Sequence, residues 1–236
     1  MKEKHLDLVL VPLGMGMLLF YHFWLLFTIT RNPTRTVIGL NAESRRKWVF
    51  SLMDDPLKNG VLAVQTIRNN IMASTLLATA AITLSSLISV YVSNKSSSPS
   101  SGFVYGNKSQ LMSSVKLFAI LVCFLVAFLC NVQSIRYYAH VSFLATVPAY
   151  QDRKEAIEYV ARHLNRGSFF WSLGLRAFYL SFPLFLWVFG PIPMFVCCFT
   201  MIFVLYFLDT TSNFTREMHS HSIKEETVGG DVESIV

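Results

Sequence analysis

Four long runs of apolar residues dominate the sequence, covering residues 6–29, 61–92, 115–141 and 174–208. A bilayer core of ~30 Å needs ~20 consecutive, mostly apolar helical residues, because a helix rises ~1.5 Å per residue. One such run suits the centre of a soluble domain, but four do not. Charged residues make up 14% of the chain, against about a quarter in a soluble domain. The expected fold is therefore all-α: a polytopic transmembrane helix bundle of about four spans, forming a single domain over residues 1–210. A disordered acidic tail is expected over 211–236. No nucleic-acid partner fits this composition, and self-association stays open.

The first run follows Lys2 and Lys4, as a signal peptide would. It is too long for a signal core, and no small-x-small cleavage pattern follows it, so it reads as a retained span.

Charge sets the expected topology. Residues 30–70 hold seven Lys/Arg and residues 136–176 hold six, whereas the Ser-rich connection at 93–115 holds only Lys95 and Lys108. Cytosolic connections collect Lys and Arg, so the first and third connections are expected in the cytosol. Both termini and the Ser-rich connection then lie outside or in a lumen, in the plasma membrane or an endomembrane. Asn94, Asn107 and Asn213 start N-glycosylation acceptor patterns, and all three fall on that expected outer side.

The fourth run has 35 residues, ~52 Å as one helix, and is interrupted by Gly190, Pro191 and Pro193. Proline removes a backbone donor and clashes with the preceding turn. Two readings follow: a single span kinked or broken there, or a hairpin of two halves. The kinked span is favoured, because no charge at the break would hold a turn in water. Two amphipathic helices are expected on the cytosolic side, over about 42–53 and 152–164. The first carries Trp48, Val49, Leu52 and Met53 on one side, behind Arg45, Arg46 and Lys47, and would suit an anionic membrane surface. The second starts at a capping-box-like Asp152 and Glu155, and Gly167 is placed to end it.

Polar residues inside the spans mark candidate sites. Thr75, Thr79, Thr83 and Ser86 share one side of the second span with Arg68 and should face other helices. Val64-Gln65-Thr66-Ile67-Arg68 recurs as Val132-Gln133-Ser134-Ile135-Arg136. The repeat places Gln65, Arg68, Gln133 and Arg136 at similar depth near the cytosolic face, with His22, His140 and Arg176 close to that level. Two readings stand here: arginines snorkelling singly at the inner interface, or a shared pocket for an anion or phospholipid headgroup. Asp7 and Asp209 are placed at the outer face, so no acid is expected to neutralise these arginines. Convergence of Arg68 and Arg136 would then imply a bound anion.

Catalytic motifs are absent: there is no Gly-x-Ser-x-Gly, no His-Glu-x-x-His and no phosphate-binding loop. No enzyme activity, metal or cofactor is expected. Cys123, Cys130, Cys197 and Cys198 lie in apolar runs and read as small apolar residues. Asp54-Asp55-Pro56 reads as a turn. The pair His219 and His221, and the terminal Ser234-Ile235-Val236, read as chance matches to metal and peptide-ligand patterns.

One set of motifs is Tyr21-His22; Asn32-Pro33 through Thr36-Val37-Ile38-Gly39 to Arg45 and Trp48; and Val64-Gln65-Thr66-Ile67-Arg68-Asn69 with Met72-Ala73-Ser74. Gln133-Ser134-Ile135-Arg136-Tyr137-Tyr138 with His140, Arg166-Gly167-Ser168, and Gly174-Leu175-Arg176 leading to Phe189-Gly190-Pro191-Ile192-Pro193-Met194 complete the set. Together they resemble a plant-type membrane family catalogued as domain of unknown function five-nine-nine. The resemblance implies a membrane protein of plant type and no specific activity. The residues favour a non-enzymatic transport, channel or lipid-binding role with an inner-leaflet cationic pocket. The alternative is a structural or adaptor protein whose basic cytosolic loops bind anionic lipid or a protein partner. Either way, the expected partners are membrane lipids, anionic on the cytosolic side.

Overall fold

The last apolar run is two helices, and that division sets the architecture of this computed structural model, which describes residues 2–95, 110–146 and 153–211. The helices are α1 (Lys2–Arg31), α2 (Val37–Asp54), α3 (Pro56–Lys95), α4 (Gln110–Leu144), α5 (Arg153–Phe189) and α6 (Pro191–Asp209), with a 3₁₀ turn at Pro33–Arg35. All but α2 are long and apolar enough to cross a membrane, which gives five candidate spans. The protein is a multi-pass, all-α membrane protein.

The break between α5 and α6 has a local cause. A residue before proline is disfavoured in helical backbone, and Gly190 is extended, with φ 160° and ψ 167°. Pro191 and Pro193 then sit in the first turn of α6, where backbone N–H groups have no helical partner to lose.

Contacts at both ends of α6 show that the chain turns back. Just before the break, the Trp187 carbonyl accepts from Lys116 Nζ at 2.9 Å, and the Trp187 indole N–H points to Asp7 Oδ1 at 3.4 Å. At the other end of α6, Tyr21 donates to Asp209 at 2.7 Å, and Thr210 forms an antiparallel bridge with Thr36. Between these ends, Cys198 packs closely over Gly14, and the Trp24 and Tyr206 rings lie 5.9 Å apart. Helix α6 therefore runs parallel to α1 and antiparallel to α5. The kinked span favoured from the sequence is replaced by the hairpin. Asp7 and Thr210 lie at opposite ends of the bundle.

Three helices are longer than a bilayer requires. At ~1.5 Å per residue, the 40 residues of α3, 35 of α4 and 37 of α5 extend ~52–60 Å. All three overshoot at the end that carries α2. There Val49, Leu52 and Met53 of α2 join Ala63 and Ile67 of α3, Tyr138 and Val141 of α4, and Ile157, Val160 and Leu164 of α5 in one buried cluster. The apolar stripe of α2 thus packs against the bundle and not against a membrane surface. Arg46 to Glu158 at 2.7 Å and Arg153 to Asp54 at 2.9 Å rim this layer. Helix α2 begins at Val37, earlier than expected, because the Thr36 hydroxyl accepts from Gly39 N at 3.2 Å.

The amphipathic segment expected at 152–164 is the first part of α5, which continues through Gly167 without stopping. Gly167 lies against Tyr137 and Tyr138, so its small size serves packing and not termination. Along the α4–α5 seam, Ser134 Oγ donates to the Gly167 carbonyl at 2.9 Å. Its single hydrogen is then used, so the 3.3 Å contact with Ser74 Oγ has Ser74 as donor. One hydroxyl ties α3, α4 and α5 together. The Ser-rich connection with Asn107, and the tail with Asn213, His219 and His221, lie outside the described residues. Asn94 falls in the last turn of α3.

The closest approach of α4 and α5 is at Gly174, where an added Cβ would lie 2.6 Å from Asn131 Nδ2 and 3.3 Å from the Ala127 carbonyl. Gly174→Val is expected to destabilise the bundle by about 1–3 kcal/mol, read as a lower thermal unfolding midpoint in detergent. Gly16→Ala, with nothing within 4 Å of the new methyl, should leave that midpoint nearly unchanged.

Candidate functional site

The fold brings together an ion pair that the sequence order conceals. Arg176 Nη2 donates to Asp209 Oδ1 at 2.7 Å, with the two side chains only 15% and 9% exposed. Tyr21 donates to the other oxygen, Asp209 Oδ2. Helices α5, α6 and α1 each supply one member. Asp209 and Asp7 do not share one face as expected: Asp209 sits at the α2 end, opposite Asp7. The hairpin moves it there, because α6 crosses back before Asp209 is reached.

His22 belongs to this neighbourhood, since its ring meets that of Tyr21 edge-on with centroids 5.5 Å apart. Its Nδ1 lies 2.7 Å from the Leu18 carbonyl, so Nδ1 carries the hydrogen and Nε2 stays open. Arg176 Nη1 is buried without a hydrogen-bond partner, which leaves one strong donor unused inside the cluster. Beside it, between α1 and α6, a hollow of about 600 Å³ is walled by Pro12, Gly16, Phe20, Tyr21, Ile202 and Tyr206, among others. Tyr21 offers its ring to this hollow, since its hydroxyl is committed to Asp209.

The other candidate residues stay apart from this cluster. Arg68 is exposed and donates to Gln65 Oε1, one turn away on its own helix, at 2.9 Å. Arg136 is exposed, and Gln133 half-buried, on α4. The buried seam between the two helices runs through Ile67 and Ser74 on one side and Ser134 and Tyr138 on the other. Arg136 lies two residues from Ser134, about 200° around the helix, so it points away from that seam. Among the described residues, no hydrogen bond or ion pair joins Arg136 to Arg68, Gln65 or Gln133. Among the described residues the two copies of the repeat are not joined by a hydrogen bond or ion pair, and Arg176 serves the separate buried pair.

The polar stripe on α3 also differs from its expected role. Thr75, Thr79, Thr83 and Ser86 are exposed and do not face other helices of the chain. Thr75, Thr79 and Ser86 each donate at 2.9 Å to the carbonyl four residues earlier. Their hydroxyls are satisfied within α3, so the stripe needs no neighbour.

Sequence reasoning missed Asp209 and Tyr21 as site residues. The available signal was the length of the fourth run: an aspartate closing the second half of a divided run must sit at the opposite membrane face. It also missed an exposed collar. Arg31, Arg35, Arg68, Arg136 and Arg166 are all exposed, and among the described residues none forms an ion pair.

A family model described as "Protein of unknown function, DUF599" matches residues 9–214. The chain belongs to the DUF599 family. The match includes all five candidate spans from Val9 onward, and so the buried pair and the collar are both parts of a DUF599 protein. No curated protein and no solved structure matches the chain.

Breaking the buried pair from one side should be costly. Arg176→Gln strands the Asp209 carboxylate, and a loss of about 3–5 kcal/mol is expected, measured as reduced thermal stability in detergent. Combining Arg176→Met with Asp209→Leu removes both charges and should restore most of that loss.

Proposed function

We propose that this DUF599 protein is a non-enzymatic membrane protein that holds anionic lipid against the α2 end of its bundle, and that this end faces the cytosol. The observation that carries this reading is the unneutralised arginine collar and its depth. Lys116, bonded to Trp187 near the start of the candidate span Met112–Leu144, is taken as one end of the membrane-crossing part of α4. Twenty residues separate Lys116 from Arg136, a rise of ~30 Å, which equals the thickness of the hydrocarbon core. On α5, Arg166 lies one residue from Gly167, whose carbonyl Ser134 holds, and so at the same level as Arg136. The collar therefore falls in the headgroup layer, where arginine costs little and attracts acidic lipid.

The packing supports lipid binding over a channel between α3 and α4. Ala63, Ile67, Ser74, Ala78 and Ala81 on the inward side of α3 are 0–6% exposed, so that seam is filled by small side chains. The hollow between α1 and α6 is apolar and of a size that suits an acyl chain. Cytosolic placement of the α2 end rests on the excess of Lys and Arg there. The adaptor reading has its own support in the layer of α2 and early α5, which projects beyond the collar and is cross-braced by two ion pairs.

The test is lipid retention. Full-length protein extracted in neutral detergent should carry more phosphatidylglycerol or phosphatidylserine than phosphatidylcholine, relative to the source membrane. Arg68→Gln with Arg136→Gln should reduce the acidic fraction severalfold while the protein still inserts and melts normally. Equal retention of acidic and zwitterionic lipid by the native chain would refute the lipid reading and leave the adaptor role in front.

A further inference from the structure

We infer that one face of the α4–α5 pair is a binding site for a phosphate monoester, the headgroup class of a phosphatidic acid. This rests on the lipid reading above and narrows it to one site. The site consists of Arg136 and His140 from α4, and His163 and Arg166 from α5, framed by Tyr137 and Tyr159.

Ring contacts establish the geometry. The His140 and His163 rings lie 5.5 Å apart, and Tyr159 lies 4.1 Å from His163. Tyr137 is 6.0 Å from His163 and stacks on Phe170 at 5.6 Å. Positions 159, 163, 166 and 170 recur at helical spacing and share one side of α5, so Arg166 continues the line from Tyr159 and His163 towards the membrane. On α4, Arg136 and His140 are one turn apart on the side that meets it. The Ser134–Gly167 bond sets the register, which puts Arg136 level with Arg166 and the two imidazoles about one turn beyond, away from the hydrocarbon.

Charge then selects the ligand. Arg136, His140 and Arg166 are exposed and His163 is half-exposed. Among the described residues, none of the four has a carboxylate partner. Glu158, the nearest acid along this stretch of α5 apart from Glu155, is taken by Arg46 on the α2 side. Glu155 lies a further turn beyond Tyr159, outside the headgroup layer. His163 Nδ1 donates to the Tyr159 carbonyl at 2.9 Å, so its Nε2 lone pair is left to accept the hydroxyl hydrogen that a singly protonated phosphate monoester carries and a phosphodiester lacks. Two guanidiniums at one level on this side, neither with a carboxylate partner among the described residues, are both stabilised by an anion bound there. A phosphodiester brings one negative charge, whereas a monoester brings about −1.5 to −2 and three acceptor oxygens. Arginine forks suit those oxygens, and two of them at headgroup depth favour the more highly charged group.

The experiment uses the full-length chain in neutral detergent, titrated separately with phosphatidic acid, phosphatidylglycerol and inorganic phosphate, with bound adducts counted by native mass spectrometry. Phosphatidic acid should bind at least about fivefold more tightly than phosphatidylglycerol. His140→Gln with His163→Gln, and Arg166→Gln alone, should each abolish that preference, while Lys58→Gln, at an exposed position outside both the collar and this site, should leave it intact. Failure of millimolar inorganic phosphate to displace the lipid supports a lipid headgroup as the ligand. Displacement supports the same phosphate site and makes a soluble phosphate ester its ligand. Equal affinity for the two lipids, or a preference untouched in both the His140/His163 and Arg166 variants, overturns the site. In that case, continued selection of acidic over zwitterionic lipid would leave the broader lipid reading standing. Melting temperatures of the variants close to that of the native chain exclude misfolding as the cause of a loss.

Discussion

The contact between Arg176 and Asp209 decides how this chain crosses the membrane. Removing two charges from water costs several kcal/mol each and is repaid only by good geometry and further hydrogen bonds. Here the carboxylate accepts from Arg176 and from Tyr21, both at 2.7 Å. The three residues come from α5, α6 and α1, so the pair forms only when α6 returns alongside α1. A single kinked span would have left Asp209 at the far end of the bundle and Arg176 buried with no counter-ion. This ion pair thus accompanies the division of four apolar runs into five candidate spans.

The division into five candidate spans has consequences at both ends of the bundle. The described chain leaves α6 at Thr210, bridged to Thr36, beside α2 and the overshooting ends of α3, α4 and α5. That end gathers the buried cluster of α2 with its neighbours, the ion pairs that brace it, and the collar of unpaired arginines. The opposite end holds Asp7, Lys116 and Trp187 together. The two groups are separated by about one hydrocarbon thickness along α4, which is why the collar is read as a headgroup contact and the layer beyond it as water-exposed.

Much of this was legible in the sequence, because bilayer thickness imposes a length on each apolar run and small-residue seams follow from helix packing. The apolar faces of α2 and of early α5 were visible as Val49, Leu52 and Met53 and as Ile157, Val160 and Leu164, and these residues meet in one cluster. What stayed hidden depended on partners distant in sequence. Pro191 signalled a break but not its angle, which Asp209 and Thr210 fix through residues 188 and 174 positions earlier. The repeat around Arg68 and Arg136 suggested convergence, yet helical phase separates them once Ser74 and Ser134 occupy the seam. The α3 hydroxyl stripe looked like a helix contact because side-chain bonding to the preceding turn cannot be told from bonding to a neighbour by spacing alone. The meeting of His140 with His163 needed the register that only the fold supplies.

The most direct measurement of the five-crossing account is protease protection of a full-length chain tagged at both termini, in sealed membrane vesicles of one orientation. The account predicts that one tag is digested and the other protected, whichever face of the vesicle is outermost. Digestion of both tags, or protection of both, would mean an even number of crossings. Asp209 would then lie away from Arg176, and the buried pair would not exist in the membrane.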